Sequence, residues 1–292
     1  DFIIQFPKNL CKLFLYLLGI IKMDNSNLLQ KYNNELDKYN KDGFLSPVTI
    51  LNNEQALFHR LELEKAENII GPLHYKSKVH TILESPYKLA TNKIILDIVE
   101  TILGPNILLH NTTYVIKEPK SLAHVSWHQD LTYWGFSDDD QVSVWLALSE
   151  ANELSGAMKM IPGSHQLGRM DHIITEDENN VLHQGQTVKG IDEDKSVLCS
   201  LLPGQASFHH GWTLHTSQSN QSDDRRIGLN IQYLSTHIKQ IKHDDDTAIC
   251  VRGVDEYKNF KTDLPAKRDL DPRALKKFKY LNDLYKQTAG SQ

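Results

Sequence analysis

From residue 106 to about 252 the chain is a succession of short β-type runs, and nothing else in it restricts the fold as much. The runs read ILLHNTTYVI, HVSWHQD, VSVWLALS, MKMIPG, SVLCSLL, QASFHH, RIGLNIQYL and TAICVRG. They are cut by Gly, Pro, Asp and Asn turns such as Pro162-Gly163 and Pro203-Gly204. Many short strands so punctuated argue for an antiparallel sandwich or barrel. Helical patterns gather on the N-terminal side. Leu28, Leu29, Tyr32, Leu36 and Tyr39 recur at helical spacing until Asp42-Gly43 stops them. Phe44 to Leu51 reads as a strand, Asn52 caps a helix to about Asn68, and a helical stretch over 77–103 is expected to break near Ser85-Pro86. Asp271-Pro272 opens a last helix. Helices first and strands afterwards make an α+β chain: a double-stranded β-helix, or jelly-roll (cupin-like), core with N-terminal helices packed on one sheet and a C-terminal helix.

Residues 1–22 stand apart. Leu13 to Ile21 (LFLYLLGII) is apolar but far shorter than the ~20 residues a membrane span needs, and no A-x-A cleavage pattern follows it. The expectation is an apolar extension not native to the functional chain, which begins near Met23; the alternative is a short amphipathic helix packed on the domain. Residues 23–292 are expected to form a single domain. The net charge of −5 and the lack of a basic stripe disfavour nucleic acid and anionic membranes as partners. Three scattered cysteines (Cys11, Cys199, Cys250) suit a reducing compartment, and a cytoplasmic location is expected.

With 14 histidines, a His-x-Asp pair alone says little. Two such pairs occur. His243-Asp244-Asp245 lies in an acidic run with no later histidine, and reads as a solvated turn. His128-Gln129-Asp130 ends a strand-like run, where residues two apart share a face, and His215 is the best third ligand. Two histidines and one carboxylate on one face of an octahedral metal leave three positions open, as in non-haem Fe(II) oxygenases. A dianionic 2-oxoglutarate would fill two of these and O2 the third. Its far carboxylate needs a partner inside the barrel. Arg226 opens the strand RIGLNIQYL, whose alternation puts Arg226, Gly228, Asn230 and Gln232 on one face. Its planar fork can grip a carboxylate, Ser217 can add a hydroxyl, and Gly228 is expected to leave space beside the guanidinium.

The segments Trp127-His128-Gln129-Asp130, Val144 to Leu148, Met160 to His165 and His215…Arg226 resemble the phytanoyl-CoA dioxygenase family, in the family's order. The family's spacing of ten residues between distal histidine and co-substrate arginine is matched by His215 and Arg226, and selects Arg226 over Arg225. The resemblance implies an Fe(II)- and 2-oxoglutarate-dependent dioxygenase with His128, Asp130 and His215 as metal ligands. It places Trp145 beside the co-substrate, with Asn111 and Lys117 as further contacts. Gln129, Tyr133, Trp134, His210 and Asn230 are the expected substrate contacts. His165 is read as structural or substrate-facing, and His74 and Tyr75 as part of a region that could supply a lid. The expected reaction is hydroxylation of an unactivated C–H in a small polar metabolite. Asp130 disfavours a halogenase, which needs a halide in the carboxylate's place. Desaturation or cyclisation remains an alternative, and so does a metal-binding jelly roll without redox chemistry. Nothing in the sequence reads out the oligomeric state.

Overall fold

The computed structural model describes residues 25–182 and 185–290, so the apolar segment 1–22 lies outside the described residues. Helix α1 (Asn25–Asp42) stops at Gly43, whose φ of +83° few other residues adopt. A Cβ there would meet His165 Nδ1 at 2.5 Å and Thr213 Oγ1 at 2.6 Å, so the glycine lets three segments close together. Strand β1 (Phe44–Thr49) follows, then α2 (Asn53–Ile70). Asn52 begins α2 with a reciprocal cap: its Oδ1 accepts from Gln55 N at 2.9 Å, and Gln55 Oε1 accepts from Asn52 N at 3.0 Å.

The stretch 77–103 is interrupted twice: at Ile82-Leu83, just ahead of Ser85-Pro86, between a single turn over Val79–Thr81 and α3 (Glu84–Ala90), and again at Thr91-Asn92 before α4 (Lys93–Leu103). Pro86 sits in the first turn of α3, where its missing N–H costs no helical bond. Asn92 starts α4 by accepting from Ile94 N at 2.9 Å.

Among the described residues, β1 is joined by ten further strands: β2 (Ile107–Lys117), β3 (Val125–His128), β4 (Gln141–Ala147), β5 (Met158–Met160), β6 (Val197–Cys199), β7 (Gln205–His210), β8 (His215–Ser217), β9 (Arg226–Ser235), β10 (Thr247–Arg252) and β11 (Lys261–Thr262). They build two sheets. The large sheet runs β1-β7-β4-β9-β2-β10-β11 and the small one β3-β8-β5-β6. This is the jelly-roll core with its helices outside. Between Asp130 and β4 lies one short helix, α5 (Leu131–Trp134), and α6 (Pro272–Gly290) closes the chain. Among the described residues no helix is long and apolar enough to cross a membrane.

Strand alternation sorts the two faces of the large sheet. Val142, Val144 and Leu146 of β4, Ala206 and Phe208 of β7, and Ile227, Leu229, Ile231 and Tyr233 of β9 pack outward against Leu63, Ala66, Ile95 and Val99 of the helices. The intervening residues face the small sheet. There Phe44, Trp145, Ala147, Met158, Met160 and Leu201 form a second core between the sheets. At one end this inner space opens into a cavity of about 230 Å3. The site is there.

Candidate active site

His128 ends β3 and His215 begins β8, and the two are register partners in the small sheet. Pairing sets their rings 4.0 Å apart, centroid to centroid. Asp130 lies two residues past His128, and its Oδ1 is 3.5 Å from His128 Nε2 and 3.8 Å from His215 Nε2. One ligand atom from each of the three residues lies within 4.8 Å of the others, the spacing a single ion needs. Both Nδ1 atoms face backbone carbonyls, His128 at Ser126 O (2.9 Å) and His215 at Thr213 O (2.9 Å). An Nδ1–H donated there fixes the tautomer and leaves each Nε2 lone pair for a metal. Burial, then the neighbouring His128, holds His215 well below the usual imidazole value, which keeps it neutral and able to ligate. Burial alone would raise the Asp130 carboxyl, but His128, His209 and His215 hold it well below the usual range. Its Oδ2 takes a hydrogen bond from Ser143 Oγ at 3.1 Å and lies 3.3 Å from His209 Nε2.

Deeper in the cavity Arg226 is 1% exposed. Its Nη1 donates to Gly156 O at 3.0 Å, while Nε and Nη2 have no partner among the described residues. Burial pushes even this guanidinium down to about 10. A buried cation with two donor nitrogens left bare is costly unless an anion completes it, so the residues fit a 2-oxoglutarate carboxylate. The Trp145 ring packs 5.0 Å from the guanidinium carbon. Gly228 serves that ring rather than the ligand: a Cβ there would meet Trp145 Cζ2 at 2.0 Å, so the space expected beside Arg226 is filled by indole.

Ser217, Trp145, Tyr133, Trp134 and Asn230 line the same cavity as the triad and Arg226. Four expected contacts stand elsewhere. Gln129 is fully buried on the opposite side of the chain from the ligands: its amide nitrogen donates to Gly168 O and Trp212 O, and its oxygen accepts from Met170 N. It ties down the segment around 168–170. His210 faces away from the cavity, accepting from Trp212 N and packing on His165, whose ring reaches Asn40 O. His209 takes the cavity position instead. Asn111 is spent within the protein, its oxygen accepting from Lys78 N and its nitrogen donating to Thr113 Oγ1. Lys117 gives its amine protons to Ser217 O, Ser217 Oγ and Gln218 O, so it braces the segment after His215 rather than reaching a ligand. Burial, then Arg226, pushes Lys117 down to about 6.

Gln232, put on the inward face of β9 by alternation, lines the cavity too; sequence reading missed Tyr285 on α6, and with it Thr113 and the apolar Val115, Val125, Met158, Val181 and Leu182 of the cavity wall. Tyr75, considered for a lid, is part of that wall, while His74 bonds Ile116 N at 3.0 Å. The second His-x-Asp pair is spent on other contacts: His243 meets Thr288 and Asp245 pairs with Lys261.

A jelly roll that converges two histidines and a carboxylate on one open-sided centre is the architecture of mononuclear non-haem iron oxygenases. A sequence model of the phytanoyl-CoA dioxygenase family matches residues 29–228, and the chain belongs to that family. It is 32% identical over 156 residues to a probable alpha-ketoglutarate-dependent hypophosphite dioxygenase of Stutzerimonas stutzeri, covering 53% of this chain and 54% of that protein. It is 25% identical over 214 residues to the peroxisomal phytanoyl-CoA dioxygenase of Homo sapiens, covering 71% and 61%. The chain thus spans little more than half the length of these curated relatives. Among solved structures, apo ThoJ, a non-heme monooxygenase, superposes with a TM-score of 0.77 at 27% identity, covering 87% of this chain and 97% of that one.

Proposed function

We propose that this protein is an Fe(II)- and 2-oxoglutarate-dependent dioxygenase that hydroxylates an unactivated C–H bond of a small polar metabolite. One observation carries the reading: the triad and a buried, incompletely paired Arg226 share one cavity. A metal-binding module without redox chemistry has no use for that guanidinium. When bound, iron and 2-oxoglutarate would activate O2, one oxygen atom going into succinate as the co-substrate loses CO2 and the other into the unreactive C–H bond as a hydroxyl.

The chain's own residues have distinct tasks. His128, Asp130 and His215 hold the metal by one face, and Ser143 and His209 fix the Asp130 carboxylate. Arg226 takes the far carboxylate of 2-oxoglutarate, and Ser217 stands beside it in the wall. Met158, Val125, Val181 and Leu182 exclude water around the reacting carbon. At about 230 Å3 the cavity is smaller than common ligand pockets of ~300–1,000 Å3, and it must also hold the co-substrate. Arg226 is the only Lys or Arg that the described residues put in its wall, so no basic cluster awaits the phosphates of CoA. The name of the Stutzerimonas relative, which specifies a very small substrate, agrees with that restriction.

Anaerobic titration of the Fe(II)-loaded protein with 2-oxoglutarate, followed by O2, tests the reading. A visible charge-transfer band that saturates with 2-oxoglutarate, and succinate formed only when Fe(II) is present, is the expected result. Metal binding with neither band nor succinate would leave a non-redox binding module.

A further inference from the structure

The cavity wall has one contributor from far outside the family match: Tyr285, on α6, 57 residues beyond residue 228. The helix is pinned over the site by polar ties. Asn282 Oδ1 accepts from Ser77 N at 3.0 Å, Lys277 reaches Asp263 at 3.3 Å, and Lys242 Nζ donates to the Thr288 carbonyl at 2.8 Å. Leu281 of the same helix is buried. Tyr285 packs against the cluster of Leu131, Tyr133 and Trp134 that directly follows Asp130. Burial raises the pKa of its hydroxyl, and the polar groups of Gln232 and then Trp134 act against that rise. An indole N–H can only donate, and Gln232 Oε1 already faces His110 Nδ1 at 3.3 Å, so both neighbours approach the Tyr285 oxygen as donors and leave its own proton for the cavity.

Two more tyrosines, from separate parts of the chain, line the same space: Tyr75 from the loop after α2, and Tyr133, whose buried hydroxyl has no partner among the described residues. Against these donors the wall residues set two unpaired acceptors, Asn230 Oδ1 and, with Nε2 turned to Asp130, His209 Nδ1. The one carboxylate that the described residues give it, Asp130, is taken up by the triad, Ser143 and His209. The wall therefore offers hydroxyl donors and neutral acceptors, and no free negative charge for a cationic ligand.

We infer that Tyr285 is a specificity-determining residue of the primary-substrate site, donating its hydroxyl proton to an oxygen of a compact hydroxylated or anionic molecule. Tyr133 and Tyr75 serve the same substrate from other sides, and Asn230 accepts from its hydroxyl. The inference rests on the dioxygenase reading above, and the test separates the two. The full chain is loaded with Zn(II), which is redox-inert, and with 2-oxoglutarate. Binding of 3-hydroxypropionate, a three-carbon probe with both acceptor and donor oxygens, is followed by saturation-transfer NMR, with the 2-oxoglutarate signal read in the same sample. Tetramethylammonium is the cationic probe, since the clustered aromatic rings could instead make a cation cage.

The expected result is saturable binding of 3-hydroxypropionate without displacement of 2-oxoglutarate, weakened about tenfold or more in Tyr285→Phe. The phenyl ring keeps the packing on Trp134, and 2-oxoglutarate affinity stays within about twofold. Tyr280→Phe, on the same helix and 56% exposed, should bind the probe like the wild type. Unchanged probe affinity in Tyr285→Phe, no probe binding to the wild type, or tighter binding of tetramethylammonium would each overturn the inference. Failure of the wild type to hold 2-oxoglutarate would count instead against the dioxygenase reading.

Discussion

Arg226 sits almost wholly out of water with one hydrogen bond to the protein, and its two remaining donors give the site its polarity. A charge-assisted pair of this kind contributes roughly 1.5–3 kcal/mol. Arg226→Ala should therefore raise the dissociation constant for 2-oxoglutarate by about one to three orders of magnitude while metal binding is retained; calorimetry on the Zn(II) form reads both. An unchanged co-substrate affinity would remove Arg226 from its role. His209 acts one step further from the metal. It holds Asp130 Oδ2, so His209→Ala frees the carboxylate to rotate and should weaken metal affinity by about 10–100-fold. Competition against a chelator of known affinity measures this, and His209→Gln should recover part of the loss by restoring a donor.

At the scale of elements, β4 and β9 position the co-substrate end of the site by pairing Trp145 with Asn230 and Ala147 with Gly228. Gly228 is where the two strands let the indole lie flat between the sheets. Gly228→Ala would drive the ring off its place against Arg226, because no rotamer moves a Cβ. The expected outcome is at least a tenfold loss of 2-oxoglutarate affinity with near-normal metal binding, and a shift in tryptophan fluorescence reports the ring's movement. Alternation was legible in these strands: the shared face of Arg226, Asn230 and Gln232 followed from the sequence of β9 alone. The same rule, applied to β7, would have chosen His209 over His210, since Ala206 and Phe208 mark the outward face. Applied to His128-Gln129-Asp130, it puts Gln129 on the far side of the ligands. Both signals were in the sequence.

Over the whole molecule, buried histidines couple stability to pH. His59, His74 and His210 are each held down to about 4, mainly by burial. Their unfolded counterparts titrate near 6.5. Between those values the unfolded chain takes up protons that the folded one refuses, so stability falls as pH drops through this window, and a shallower slope of the same sign continues above it because Lys117 is held down to about 6. Below about pH 4 a second loss begins, because Asp246 and Asp263 are held well below the usual carboxylate range. Burial acts to raise both, and Lys78 with His110 and His80 overcomes it. Thermal unfolding of the metal-free protein from pH 8 to pH 5 should show a Tm that falls gently at first and more steeply once the histidine window is entered; a flat Tm across pH 7 to 5 would contradict the burial of these rings.

The sequence by itself determined the jelly roll with its outer helices, the grouping of His128, Asp130 and His215, and the inward face of β9. These follow from local periodicity and from motif spacing along the chain. Only the tertiary structure decided that Asn111 and Lys117 are consumed by hydrogen bonds within the protein, that the indole of Trp145 fills the space at Gly228, and that Tyr75 and Tyr285 line one cavity. Whether a polar side chain is free or already satisfied depends on partners brought in by pairing and packing from distant parts of the chain, as Lys78 is to Asn111 or α6 to α5. Side-chain period carries no record of those partners.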